Sequence, residues 1–168
     1  MGKKLALGIF SFSCCEDSSI VLVEMMNDHW KDWAKLIDFK YARILQTKNT
    51  LGEMDVAIIE GAIAHDKDRQ KVLEIRKLAK KVIAIGSCAC VGLPAVQRNL
   101  FNEETKKEIQ FIIDKFGMQE KVESIPQIIH VDDMVLGCPM DEAKFLEVLN
   151  KYLVEFEIVP KPETVPKT

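Results

Sequence analysis

All five cysteines of the sequence stand at or just past the end of an apolar run: Cys14 and Cys15 after KLALGIF (4–10), Cys88 and Cys90 after VIAIG (82–86), and Cys138 after MVLG (134–137). Short apolar runs that end in small or polar residues read as strands buried on both faces, the signature of a parallel sheet. In an open parallel sheet, ligands collect outside the carboxyl ends of the strands, where the connections change direction. The cysteines are therefore expected to converge on one edge through topology, although they are far apart in sequence.

The rest of the chain supplies the other elements of that sheet. After Cys15, the residues Asp17, Ser18 and Ser19 can cap a helix that runs through IVLVEMM and WKDW to about residue 34. KLIDFKYARIL (35–45) reads as a second strand and MDVAIIEGAI (54–63) as a third. HDKDRQKVLEIRKLAKK (65–81) places Val72, Leu73, Ile75, Leu78 and Ala79 at helical spacing. A helix is expected to start at Asn102 or Thr105 and stop at Gly117, and SIPQIIHVDDMVLGCP carries the last strand before the amphipathic helix MDEAKFLEVLNKYLVEF. Strands alternating with helices predict parallel crossovers: an α/β fold with an open parallel sheet and helices on both faces. Residues 1–154 read as one domain and 155–168 as an extended, proline-containing tail.

Charge and hydropathy remove several function classes. A formal charge of −3, with Lys and Glu interspersed, does not make the basic face that a nucleic acid requires. No run approaches the ~20 apolar residues of a membrane-spanning helix, and the start MGKKLALGIFSFS enters a strand instead of a signal-peptide core, so a cytoplasmic protein without membrane insertion is expected. In that reducing compartment, five cysteines point to metal or redox work and not to disulfides.

Four sulfur ligands hold a [4Fe–4S] cluster, and four of the five thiols can supply them. Gly86 and Gly137 allow tight turns and close backbone approach beside Cys88 and Cys138, and Pro139 stiffens the chain after the last thiol. Glu16, Asp17 and Glu60 are expected near the rim, where carboxylates relay protons, adjust charge, or serve as caps. Zinc, a flavin mononucleotide and plain burial of the thiols are the competing readings. Against zinc stands the absence of Cys-x₂-Cys knuckles.

Four ordered motifs carry a family resemblance. FSFSCC followed by an acidic residue is similar to the tandem-cysteine segment of the 20-kDa subunit of complex I. VAIIEGAI, with Glu60, Gly61 and Ala62, is more like the corresponding motif of [NiFe]-hydrogenase small subunits, and IRKLAKKVIAIGSCAC and VDDMVLGCPMDE are similar to both. Over roughly residues 4–154 the chain resembles the flavodoxin-like, cluster-carrying N-terminal domain of that superfamily. The resemblance implies one proximal [4Fe–4S] cluster on Cys14, Cys15, Cys88 and Cys138, with Cys90 as the reserve ligand and Glu16, Glu60, Gly61, Gly86, Gly137 and Pro139 beside it.

The same resemblance implies an oxidoreductase subunit that is not catalytic alone. Its partners would be a large subunit with a Ni–Fe centre and further electron-transfer subunits, in a cytoplasmic hydrogenase that oxidises H₂ reversibly. The alternatives are a complex I-type or membrane-hydrogenase subunit passing electrons to quinone or another acceptor, and a metal-free binding module. The apolar loop LPAVQRNLFN (93–102) is expected to meet a partner.

Overall fold

The computed structural model describes residues 2–161 and forms a five-stranded, all-parallel sheet in the order β2-β1-β3-β4-β5. In chain order the elements are β1 (Leu5–Ser11), α1 (Asp17–Leu36), β2 (Ile37–Ala42), β3 (Met54–Glu60), α2 (Asp66–Leu78), β4 (Ala79–Ile85), α3 (Gly86–Val91), α4 (Glu103–Phe116), β5 (Asp133–Val135) and α5 (Glu142–Glu155). Two 3₁₀ turns, Ala95–Leu100 and Ile125–Gln127, lie in the connections. All seven residues of β3 are buried, as expected for the middle of a sheet covered on both sides.

Alternation along the strands sends side chains to two cores. Leu5, Leu7, Ile9, Ile58, Ile83 and Ile85 meet Leu22, Met25, Met26 and Trp33 of α1 and Phe145, Leu149 and Tyr152 of α5. Phe10, Ala57, Ile59, Val82 and Ala84 meet Val72 and Ile75 of α2. Each such Val, Leu, Ile, Met or Phe side chain stabilises the fold by about 1.5–3 kcal/mol on burial, before the entropy of ordering it is set against that gain. The 43–53 connection carries no helix, and Tyr41 stacks on Phe10 beside it, ring centroids 4.6 Å apart.

From β1 the chain passes to β2 on one side and returns to β3 on the other, so the crevice between the carboxyl ends of β1 and β3 is the switch point of the sheet. The cysteine loops lie at this edge. Three expectations about the elements change. Residues 61–63 leave β3 and form only isolated bridges, β4 starts at Ala79, and GSCACV is a short helix instead of a loop. The last strand is three residues long, because Ile125–Gln127 is spent on a capped 3₁₀ turn. After α5 the chain turns back, and Phe156, Ile158 and Val159 pack on the α1/α5 core; the remainder of the expected tail, 162–168, lies outside the described residues.

Asp132 ties α2 to the sheet below the site, on the far side from the cysteines. Its Oδ2 accepts the Val82 N–H at 2.8 Å and Arg76 Nη1 at 2.8 Å. Burial alone would raise this carboxyl, but the Val82 amide and the Arg76 guanidinium hold it below the ordinary carboxylate range. A lowered folded pKa stabilises the protein above the unfolded value of about 3.9, and the contribution is lost as pH falls through the folded pKa. Asp132→Asn should therefore be less stable than the native chain by about 1–3 kcal/mol near neutral pH. The gap in urea midpoints should close below about pH 4; a gap independent of pH would contradict this account.

Candidate metal centre

Cys14 and Cys15 follow β1, Cys88 sits in the first turn of α3 directly after β4, and Cys138 follows β5. All four line one shallow, open depression, together with Asp17, Ser18, Glu60, Gly86, Ser87, Gly137 and Pro139. Cys15 and Cys138 are exposed, Cys14 is half-buried and Cys88 is buried.

Glu60 organises the first loop. It is the last residue of β3, 3 % exposed, and its carboxylate accepts the Ser18 N–H at 3.0 Å, the Ser19 N–H at 2.9 Å and the Ser19 hydroxyl at 2.5 Å. The N-terminus of α1 is thus capped by a residue from another element, and the N-cap position itself, Glu16, makes no side-chain cap. Ser18 and Ser19, candidate caps by sequence, are donors to this cap. At the start of the loop, Phe12 donates to the Glu60 carbonyl and Ser13 and Ala62 exchange two backbone hydrogen bonds, all at 3.0 Å. Gly61 lies between these contacts with φ 91°, and a Cβ there would stand 2.9 Å from the Phe12 backbone.

Ser18 joins the other two loops to the first. Its Oγ accepts the Met140 N–H at 3.2 Å, and a Cβ on Gly86, whose φ is 76°, would approach that oxygen to 2.7 Å. The Gly137 carbonyl accepts the Ser87 N–H at 2.7 Å and the Ser87 hydroxyl at 3.0 Å, which ties the Cys138 turn to the start of α3. Gly137 has φ 124°, and a Cβ would fall 2.3 Å from the Pro139 carbonyl. Neither Ser18 nor Ser87 has a sequence signal that marks it as a clasp.

Two residues expected at the site are placed elsewhere. Cys90 follows Cys88 by two positions on α3, about 200° around a helix. Its thiol is directed at the Ala84 and Val135 carbonyls, at 3.3 and 3.6 Å, in the α2-side core. The side chain of Glu16 accepts the Ser11 hydroxyl at 2.7 Å and lines a neighbouring cleft of about 690 Å³, alongside Phe10, Tyr41, Arg43 and His65. Of the histidines, His29 stacks on Trp33 and His65 faces the Gly117 carbonyl; His130 is exposed. None of them lines the depression.

The electrostatics of the depression disfavour bare thiolates. Burial, and next the Glu60 carboxylate, push the Cys14 thiol up to about 11. Burial also raises Cys88, despite a backbone hydrogen bond that lowers it, and the neighbouring Cys15, Cys138 and Glu60 raise it further. No Lys, Arg or His lines the depression to offset these groups. A cationic, thiophilic guest would reverse each of these shifts, because a coordinated thiol is deprotonated by the metal. Among the described residues no three His, Cys, Asp or Glu side chains are grouped to hold a metal ion. The thiols are instead distributed around the rim of one depression, a donor set that fits a bulkier iron–sulfur group.

The family model for the NADH ubiquinone oxidoreductase, 20 Kd subunit, matches residues 14–152. A subunit of the F420-non-reducing hydrogenase of Methanothermobacter marburgensis is 28% identical over 174 residues, covering 94% of this chain and 56% of the relative. The gamma subunit of the coenzyme F420 hydrogenase of Methanosarcina barkeri is 30% identical over 149 residues, covering 83% and 50%. The chain thus spans about half the length of these curated relatives. A chain of an NAD+-reducing [NiFe]-hydrogenase in the H₂-reduced state superposes with a TM-score of 0.78 at 22% identity, covering 97% of this chain and 98% of that one. At that identity the likeness establishes the flavodoxin-like fold.

Proposed function

The chain belongs to the NADH ubiquinone oxidoreductase, 20 Kd subunit family, and from that membership we propose that it is the electron-transfer small subunit of a cytoplasmic [NiFe]-hydrogenase. The observation that carries the reading is the convergence of Cys14, Cys15, Cys88 and Cys138 on one depression. On this reading those four residues hold one [4Fe–4S] cluster, and residues 1–154 form the domain that carries it. Such a cluster takes up and releases one electron at a time and so links a catalytic centre in a large partner subunit to further electron-transfer subunits.

The chain's own residues supply placement. Glu60 holds the tandem-cysteine loop by capping α1, while Ser18 and Ser87 clasp the loops that carry Cys88 and Cys138. Gly86 and Gly137 permit the close approach of these loops, since a Cβ would collide with the Ser18 hydroxyl oxygen at the first and the Pro139 carbonyl at the second. Among the described residues no helix is long and apolar enough to cross a membrane. Val91, Leu93, Leu100 and Phe101 are exposed beside α3 and form the surface that we assign to the large subunit.

Adjacent cysteines and the description of the matching family model favour a second reading, a complex I-type subunit passing electrons to quinone or another acceptor. One purification separates the two. Isolated anaerobically with its large partner, the complex should contain about four sulfide and four cluster iron per copy of this chain, besides the iron of the partner's Ni–Fe centre. It should also contain nickel and reduce a dye with H₂. An iron-replete complex without nickel would establish the second reading, and a chain free of iron in an intact complex would leave a metal-free binding module.

A further inference from the structure

We propose that Glu16 is a positioning residue for the two adjacent thiols, acting through a left-handed backbone turn that its side chain holds in place; the inference rests on the cluster reading above. Among the described residues only Glu16 (φ 64°) and Glu157 (φ 58°) are non-glycine residues with positive φ. Glu157 follows the end of α5, where a left-handed residue is a common stop. Glu16 stands at a helix start, where the N-cap ordinarily has extended backbone. A left-handed non-glycine residue persists only where its surroundings over-determine it.

Those surroundings are visible at Glu16. Its Oε1 accepts the hydroxyl of Ser11, the last residue of β1, at 2.7 Å, and its carbonyl accepts the Ile20 N–H at 2.9 Å. The glutamate therefore closes a loop from the strand end to the helix start, with both thiols inside it. The flanks are fixed separately, Ser13 by Ala62 and Ser18 and Ser19 by Glu60. Between those anchors the direction of Cys14 and Cys15 depends on how the chain turns at Glu16. Successive side chains of an extended segment point to opposite sides. Here Cys14 and Cys15 line the same depression, and the Glu16 side chain is turned into the neighbouring cleft. The Glu16 carboxylate does not line the depression and reaches the thiols only through the Ser11 hydroxyl, which stands 3.7 Å from the Cys14 sulfur.

The test compares Glu16→Gly, Glu16→Gln and Glu16→Val in the full chain. Glycine adopts the turn freely and glutamine keeps an acceptor for Ser11, so both should bind iron within about 20% of native, whereas β-branched valine should fall to about a third or less. A second readout uses no iron: dibromobimane bridges pairs of nearby thiols, and peptide mapping quantifies Cys15 bridged to Cys88 or Cys138. That yield should fall about threefold in Glu16→Val and hold in Glu16→Gly. Native loading and bridging in Glu16→Val would overturn the proposal. So would a Glu16→Gly chain as impaired as Glu16→Val with native circular dichroism. A paramagnetic signal shifted alike in Glu16→Gln, Glu16→Gly and Glu16→Val, with native iron loading in all three, would establish a charge role in its place. If Glu16→Val does not fold, Glu16→Ala is read by the same two measures. Should the native chain take up no iron, the cluster reading fails by itself, and the bridging yields still decide the turn.

Discussion

Serine in place of Cys88 is expected to strip the chain of most of its iron, by about tenfold at a free-iron level that saturates the native protein. Cys88 is the buried member of the four, held at the start of α3 by the clasp between Ser87 and the Gly137 carbonyl. A serine hydroxyl would have the same position but is a hard, weakly acidic donor where a soft thiolate is needed. Cys14→Ser, Cys15→Ser and Cys138→Ser should lower iron in the same sense. Cys90→Ser is the control. Its thiol packs against the Ala84 and Val135 carbonyls, so the change should leave iron uptake intact. Iron and sulfide per chain, with the low-temperature paramagnetic spectrum of the reduced protein, measure both. Loss of iron in Cys90→Ser alone, with Cys88→Ser loaded normally, would refute the ligand set.

Glu60→Ala should give the largest loss of stability of any single carboxylate in the chain, about 2–4 kcal/mol, because it removes one acceptor group that serves three donors. The Ser18 and Ser19 amides and the Ser19 hydroxyl would be left in a buried position without their partner. The cost of an unsatisfied buried donor exceeds the net worth of an average hydrogen bond. Glu60→Gln keeps one side-chain oxygen and should recover part of the loss. Urea unfolding of the metal-free chain isolates this effect from ligation, and iron uptake should fall as well, since the uncapped end of α1 releases Cys14 and Cys15. A Glu60→Ala chain with native stability would show that the cap does not hold the loop.

Much of the site was legible before the fold was known, but not its internal division of labour. Cys14, Cys15, Cys88 and Cys138 follow apolar runs that read as buried strands, and a parallel sheet brings such ends together. Glu60 was expected near the rim as a proton relay, a charge modulator or a cap; in the structure it is a helix cap supplied from β3. Nothing in a linear pattern reveals that partnership, since Ser18 and Glu60 are 42 residues apart. Cys90 was the reserve ligand should only one of the adjacent cysteines bind. The short helix α3 settles where its side chain goes, because two residues along a helix reverse direction whereas two along a loop need not.

The sequence by itself determined the layering of the fold and the edge at which the thiols collect, since both follow from local periodicity and from burial of apolar runs. Only the tertiary structure decided which thiol faces the depression, which carboxylate is structural, and how adjacent cysteines share one side of a loop. The physical reason is that these depend on a few backbone angles, at Glu16, Gly61, Gly86 and Gly137, and on hydrogen bonds between distant segments. Such angles carry little local signal where the residue is not glycine. At Glu16 the left-handed turn becomes visible only once Ser11 and the first turn of α1 are in place around it.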